Sequence, residues 1–259
     1  MNLAAGFDSV TASGWGDLAD ELDAWTEQGG VARLWWRDDD AVAQTPQLEA
    51  LVELAADVPL GLAVIPATAR PELADALDGA QRVVVLQHGW RHSNHGDAGK
   101  KSEFPAGRPL AEVACELGAG RERLSALFGD RFVRVLVPPW NRFAPEFDAL
   151  LPGAGLIALS DLAGHREAPP AAIAAIPVHL DLVDWRGHRG FIGEEVALAG
   201  LTEELRARRL GAEQDTAIGI LTHHLVMDAP TAAFLTELLD LTRSHRAVRW
   251  VGPAEMLAG

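Results

Sequence analysis

The chain is poor in cysteine and in long apolar runs, and each shortage excludes a class of protein. Among its 259 residues Cys115 is the single cysteine, so neither an intramolecular disulfide nor a multi-cysteine metal site can form. The surrounding segment, AEVACELG, has helical spacing, and we expect a buried structural thiol there rather than a nucleophile. No apolar run reaches the roughly 18 residues that a membrane-spanning helix requires.

Positive charge is also scarce. The 22 lysine and arginine residues face 37 aspartate and glutamate residues, which gives a formal charge of −15. Such a chain gains nothing from counterion release on nucleic acid and is not attracted to an anionic membrane surface, so we expect neither partner. The N-terminal segment lacks the basic residues of a secretion signal, which favours a cytoplasmic location. The sequence does not indicate the oligomeric state.

Short apolar runs alternate with amphipathic segments along the chain. The runs predicted as strands cover residues 32–36, 60–65, 82–87, 133–137, 156–159, 175–180, 217–222 and 248–251. Helical spacing marks residues 15–25, 46–55, 71–77, 110–128, 194–209 and 230–244. Continuous Val, Ile and Leu runs are typical of parallel strands buried on both faces, and their alternation with helices predicts βαβ units. Seven or eight such units in one domain, residues 1–259, favour an α/β barrel, although an open doubly wound sheet is the alternative.

Polar side chains follow three of the predicted strands directly. They are the acidic run Asp38–Asp40, the pair His88 and His92, and the pair His223 and His224. Because the carboxyl ends of barrel strands open on one face, we expect these residues to meet at one rim. Two histidines and a carboxylate leave one coordination position free, which is the arrangement of catalytic zinc sites. A second carboxylate of the run can then serve as the base; a solvated turn is disfavoured, because three adjacent like charges are costly without a cation.

Five short segments occur in a fixed order across most of the chain. They are RDDD at 37–40, HGWRH at 88–92, VPPWN at 137–141, DLVDW at 181–185 and LTH at 221–223. In this order they resemble the five motifs of the polysaccharide deacetylases, the NodB-homology carbohydrate esterases of family 4. Each motif alone is unspecific, whereas all five in order are hard to obtain by chance.

The resemblance implies a deformed (β/α)7–8 barrel of the polysaccharide deacetylase type that binds one divalent metal. Zinc is the expected metal, with other transition metals open, and no other cofactor is expected. The implied ligands are Asp40, His88 and His92. The resemblance also implies that Asp39 is the general base and His223 the general acid.

The resemblance assigns a second group of residues to the oxyanion and the substrate. The backbone N–H near Trp140 would stabilise the oxyanion, and Asn141 follows it in the same turn. Arg37, Asp184 and Trp185 are the further residues that it places at the substrate.

The chain departs from the family pattern in its third motif. Val137 stands where the motif normally begins with an arginine that orients the base. Either Arg37, two residues before Asp39, or Arg142 could take that role. The acidic run leaves a second choice open, since its first two aspartates could form the functional pair instead of its last two.

The implied function is that of a metal-dependent hydrolase. It would remove acetyl groups from an N-acetylated sugar or a related amide, with a small molecule or an oligosaccharide as substrate. Two alternatives stay open: a catalytically degenerate carbohydrate-binding barrel, suggested by the missing arginine, and a metal-dependent hydrolase of another bond. The long connections 93–109 and 184–193 are expected to flank the site.

Overall fold

A computed structural model describes residues 14–97, 99–168, 170, 172–211 and 215–258. The strands of this part are β1 (Ala32–Ala41), β2 (Leu60–Val64), β3 (Val83–His88), β4 (Phe132–Val137), β5 (Ala158–Leu159), β6 (Ala174–Ala175), β7 (Leu180–Asp181), β8 (Ile218–Thr222) and β9 (Val248–Trp250). The helices are α1 (Trp15–Glu27), α2 (Pro46–Ala55), α3 (Glu72–Ala76), α4 (Leu110–Phe128), α5 (Leu150–Gly153), α6 (Glu194–Leu210), α7 (Ala229–Thr242) and α8 (Pro253–Ala258). The expected location rests on the N-terminal segment 1–22, of which residues 1–13 lie outside the described residues.

The strands form one curled parallel sheet in the order β6-β5-β4-β3-β2-β1-β8-β7, and β9 pairs separately with β1. All of the strand pairs of the described residues are parallel. No ladder joins β6 to β7 in that part of the chain, so the barrel stays open there. The predicted deformed (β/α) barrel is therefore confirmed.

The sheet forms because its central strands are apolar on both faces. Every residue of β2 and of β8 is buried, as expected for parallel strands covered by helices. The helix predicted before β1 packs through Leu18, Leu22 and Trp25, which are all buried. The predicted start of α2 is also confirmed, since the Thr45 hydroxyl accepts the Leu48 N–H at 3.1 Å.

Two expectations from the sequence are wrong. Cys115 lies on α4 as predicted, but its side chain is exposed rather than buried. The strand predicted over residues 175–180 is divided into β6 and β7. Pro177 lies in the break, and a proline has no N–H to give to a strand ladder. Its carbonyl instead accepts the indole N–H of Trp35 at 3.0 Å.

β1 extends five residues beyond its predicted end and carries the acidic run into the carboxyl face of the barrel. The ends of β3, β4 and β8 open on the same face, so the polar segments that follow these strands meet there. None of the described helices is both long and apolar enough to span a bilayer.

Candidate metal centre

Three side chains of the predicted metal site lie together at the ends of β1 and β3. The Asp40 Oδ1 atom is 3.0 Å from Nε2 of His88 and 3.2 Å from Nε2 of His92. The three groups each offer a ligand atom, and these atoms lie within 4.8 Å of one another. The four-residue spacing of the histidines therefore brings both imidazoles to one carboxylate.

The surroundings of this cluster suit a divalent cation. The other ring nitrogen of His88, Nδ1, is 3.1 Å from the Val137 carbonyl oxygen, so an N–H at Nδ1 leaves the Nε2 lone pair facing Asp40. Burial acts to raise the pKa of Asp40, but its hydrogen bonds with His88 and His92 outweigh burial and hold that pKa well below the usual range. One ionised carboxylate and two imidazoles form a donor set that zinc and related metals prefer.

The backbone around the cluster is strained. In the described residues, six residues other than glycine have positive φ. Four of them belong to this site: Asp40 (φ 74), His92 (φ 57), Trp140 (φ 58) and Asn141 (φ 54). Non-glycine residues in this left-handed region are uncommon and concentrate at functional sites, where the surrounding structure holds them in place.

Arg37 holds the carboxylate of Asp39. Its Nε atom is 2.9 Å from Asp39 Oδ1, and its Nη2 atom donates to Asp39 Oδ2 at 3.0 Å. The same guanidinium donates to the Ser160 hydroxyl at 2.8 Å and to the Asn141 side-chain oxygen at 2.6 Å. Arg142 points elsewhere and donates to the Lys101 carbonyl. Arg37 is therefore the arginine that contacts the candidate base. Asn141 contacts the site through the hydrogen bond that it accepts from Arg37.

Asp38 lies apart from the metal cluster. Its carboxylate accepts the Thr222 hydroxyl at 2.7 Å and pairs with Nδ1 of His224 at 2.5 Å. Asp38 and His224 are both buried. Since successive side chains of a strand point to opposite faces, Asp38 ties β1 to β8 while Arg37 and Asp39 share the other face. The geometry therefore favours Asp39 and Asp40 as the functional pair.

His223 follows β8 with an unused ring nitrogen. The residue is 9% exposed, and its buried Nδ1 atom has no hydrogen-bond partner among the described residues. The Trp185 ring is nearly perpendicular to the imidazole, with ring centroids 4.7 Å apart. The Trp185 indole N–H in turn donates to Asp181 at 2.8 Å. Burial raises the pKa of this carboxyl above its usual value.

The sequence motifs did not assign a site role to Asp181, although this residue opens the fourth motif and ends β7. Its position at a strand end was the available signal. Asp184, which the resemblance places at the substrate, instead accepts hydrogen bonds within its own loop. Its carboxylate accepts the N–H groups of Arg186 at 3.2 Å and Gly187 at 2.8 Å. Trp140 packs against His92, with ring centroids 4.2 Å apart.

The motifs also gave no role to Glu103, which lies in the connection 93–109. This side chain is 1% exposed. Its carboxylate accepts the backbone N–H groups of Trp90 at 3.0 Å and Arg91 at 2.7 Å. The fully buried glutamate therefore contacts the segment that joins the two candidate histidine ligands, and nothing in the local sequence pattern marks this contact.

A cleft of about 890 Å³ opens beside the site. Residues from 96–97, 99–105, 141–144 and 161–166 line it. Asn141 is part of this wall and also accepts a hydrogen bond from Arg37. The expected flanking role of the connection 93–109 agrees with this arrangement. A volume in this range suits a ligand of sugar size or larger.

Comparisons with known proteins identify the fold. No family model matches the sequence, and no curated protein matches it. A candidate polysaccharide deacetylase from Mycobacterium smegmatis has a TM-score of 0.62 at 18% identity, over 89% of this chain and 90% of that one. A family 4 carbohydrate esterase from Streptomyces lividans, solved with acetate, has a TM-score of 0.54 at 14% identity, over 84% and 90% of the two chains.

A family 4 acetyl xylan esterase from Clostridium thermocellum, solved with a cobalt ion, has a TM-score of 0.54. It is 15% identical, and the match covers 87% of this chain and 90% of the esterase. These matches extend over nearly all of both chains, so the resemblance that the five motifs indicate holds for the architecture as a whole. This chain has the fold of the polysaccharide deacetylases.

Proposed function

We propose that the protein is a metal-dependent hydrolase that removes an acyl group, most simply acetyl, from the nitrogen of an N-acetylated sugar or related amide. The observation that carries the proposal is the position of Asp39. Arg37 fixes the carboxylate of Asp39. Asp39 is adjacent in the chain to Asp40, and the Asp40 Oδ1 atom contacts both His88 and His92. A held base beside a candidate metal site is the arrangement that hydrolysis by activated water requires.

Asp40, His88 and His92 would hold the cation, which when bound supplies Lewis acidity at the substrate carbonyl. Asp39 accepts a proton from the attacking water, and the two-point contact with Arg37 keeps its carboxylate aimed. The new bond joins the water oxygen to the carbonyl carbon, and the backbone N–H near Trp140 offers a hydrogen bond to the resulting oxyanion.

His223 completes the reaction at the leaving group. As the carbon–nitrogen bond breaks, its imidazole donates a proton to the departing nitrogen, which leaves a carboxylic acid and a free amine. The unpartnered Nδ1 of His223 supports this role, because no described side chain competes for that atom. Trp185 packs against the imidazole and is 41% exposed, so its indole lies where it can contact a substrate beside His223.

The rival interpretation is a degenerate sugar-binding barrel, and the contact between Arg37 and Asp39 weighs against it. It rested on the missing arginine of the third motif, and Arg37 makes the contact with the candidate base that this arginine was expected to make. The acetate and cobalt of the two bacterial esterase structures support the proposed chemistry by analogy of fold.

Acetate release from a panel of N-acetylated sugars and amides tests the proposal. We expect release by the metal-loaded protein, and a loss of kcat of about 10²–10⁴-fold in both Asp39→Asn and His223→Asn. Asp130→Asn is the matched control, since Asp130 is an exposed aspartate in the turn before β4, at the opposite end of that strand. Full activity of either variant would remove its residue from the mechanism. Sugar binding without acetate release across the panel would favour the binding barrel, and phosphate release from an aryl phosphate would favour a phosphoesterase.

A further inference from the structure

The segment between the two candidate histidine ligands is fastened by a carboxylate from outside it. We infer that Glu103 is a positioning residue for metal binding: it fixes the backbone of residues 89–93 so that His92 meets Asp40. The inference rests on the proposed metal site and adds to it a residue that touches neither the ligand atoms nor the substrate.

Glu103 receives three backbone N–H groups of this segment. Trp90 donates to one carboxylate oxygen at 3.0 Å, while Arg91 and Ser93 donate to the other at 2.7 and 3.4 Å. In the described residues no arginine, lysine or histidine side chain pairs with this buried carboxylate, so backbone N–H groups provide its hydrogen bonds. An ionised acceptor makes such bonds stronger than a neutral acceptor does.

The contact is close enough to dictate the residue at position 89. A Cβ atom on Gly89 would lie 2.0 Å from Glu103 Oε2 and 2.6 Å from the Pro139 ring. Gly89 also has a φ of 56°, which only glycine adopts without strain. The segment therefore turns tightly after His88 and wraps its backbone around the Glu103 carboxylate.

Glu103 is itself fixed by the scaffold. The Arg108 guanidinium donates to the Glu103 carbonyl at 3.0 Å and forms a two-point pair with Glu116 on α4, at 2.8 and 2.9 Å. The next residue, Phe104, is fully buried and packs against Phe143, with ring centroids 5.4 Å apart. Because contacts with α4 and with the aromatic cluster fix Glu103, its carboxylate can hold the backbone of residues 89–93 in place.

This clamp explains how His92 keeps an unfavourable backbone conformation. A histidine with a φ of 57° persists only where neighbouring contacts hold it. Without the Glu103 carboxylate, the N–H groups around His92 lose their acceptor and the segment is free to relax. Metal binding would then have to order the segment as well, so the affinity falls although all three ligands are present.

Metal affinity of Glu103→Gln is the test, measured on chelator-stripped protein by titration with zinc and with cobalt. Glutamine keeps the size but replaces one acceptor oxygen with a donor. We expect the dissociation constant to rise by about 10–100-fold, the usual cost of losing a group that supports a metal ligand. We also expect the visible absorption of the cobalt-loaded variant to change, because the position of His92 changes.

Glu21→Gln is the matched control, since Glu21 is a second buried glutamate, 4% exposed, that pairs with Arg209 on α6. It should lower the free energy of unfolding and leave metal affinity unchanged. An affinity of Glu103→Gln within twofold of wild type would overturn the inference. If Glu103→Gln does not fold, Glu103→Asp replaces it, and unchanged affinity and an unchanged cobalt spectrum there count against the inference equally. Failure of the wild-type protein itself to bind either metal would instead overturn the proposed function.

Discussion

Arg37 and Asp39, two residues apart on one face of β1, form a buried two-point ion pair with distances of 2.9 and 3.0 Å. In the family that the sequence resembles, the arginine that orients the base normally comes from the third motif. Here the arginine in contact with Asp39 comes from the first motif. The substitution is possible because residues at i and i+2 of a strand point the same way. Ser160 and Asn141 accept hydrogen bonds from the Nη1 and Nη2 atoms of the guanidinium, so contacts outside the ion pair also hold the charge in place.

Replacement of this arginine, Arg37→Met, should reduce both stability and activity. Removing one partner leaves a buried charge uncompensated, which costs about 3–5 kcal/mol of unfolding free energy. The freed Asp39 carboxylate should also lower kcat by about 10²-fold, the usual effect of a misplaced group. Urea unfolding and acetate release measure the two effects. Arg142→Met is the control, because that guanidinium donates to a backbone carbonyl away from Asp39; equal losses in the two variants would contradict the assignment.

The buried pair of Asp38 and His224 should make stability depend on pH. Burial acts to lower the pKa of His224, but the Asp38 carboxylate outweighs it and raises that pKa above the ordinary value. A raised pKa in the folded protein means stabilisation that is complete below the unfolded value of about 6.5 and is lost as the pH rises through the folded value.

A comparison of wild type with His224→Gln isolates this contribution. With metal removed from both proteins, the difference in unfolding free energy should be largest below about pH 6.5 and should shrink at higher pH. Urea denaturation from roughly pH 5.5 to about pH 9 brackets that value and provides the measurement, since other titrating groups cancel in the difference. A difference that stays constant over this range would show that the pair does not carry the expected proton.

The turn after His88 should tolerate no side chain. In Gly89→Ala the new methyl group would overlap the Glu103 carboxylate and the Pro139 ring. Gly29, which follows the end of α1, provides a control that also has a positive φ, 70° against 56°, and open space where its Cβ would lie. Gly29→Ala should cost about 1–2 kcal/mol, the penalty of the left-handed backbone alone. Gly89→Ala should cost clearly more and weaken metal binding; equal costs in thermal or urea unfolding would mean that Gly89 does not lie against the Glu103 carboxylate.

Sequence patterns predicted most of the fold because the fold depends on local periodicity. Continuous apolar runs marked the buried strands, and helical spacing marked the extent of α2. Local patterns did not show that Pro177 divides a strand, because the apolar composition continues through it. They also misplaced Cys115, whose exposure depends on which face of α4 turns to the sheet.

For the site, the sequence indicated which residue types follow each strand but not how they pair. Position at the strand ends predicted the meeting of Asp40 with His88 and His92. The sequence left open whether Arg37 or Arg142 contacts Asp39. Deciding between them requires the directions of both side chains, and sequence spacing does not give the direction of Arg142 because a turn precedes it. The role of Glu103 could not be predicted from the sequence either, because its partners are backbone N–H groups, which almost every residue has.

Metal content tests the account most directly. Elemental analysis of the purified, reconstituted protein should find about one equivalent of zinc or another transition metal, as a three-ligand site predicts. Asp39→Asn should keep this metal, because Asp39 contacts Arg37 rather than the histidines, whereas His92→Ala should lose it. A wild-type protein that takes up no metal, or a His92→Ala variant that retains a full equivalent, would contradict the central claim that Asp40, His88 and His92 form the metal centre.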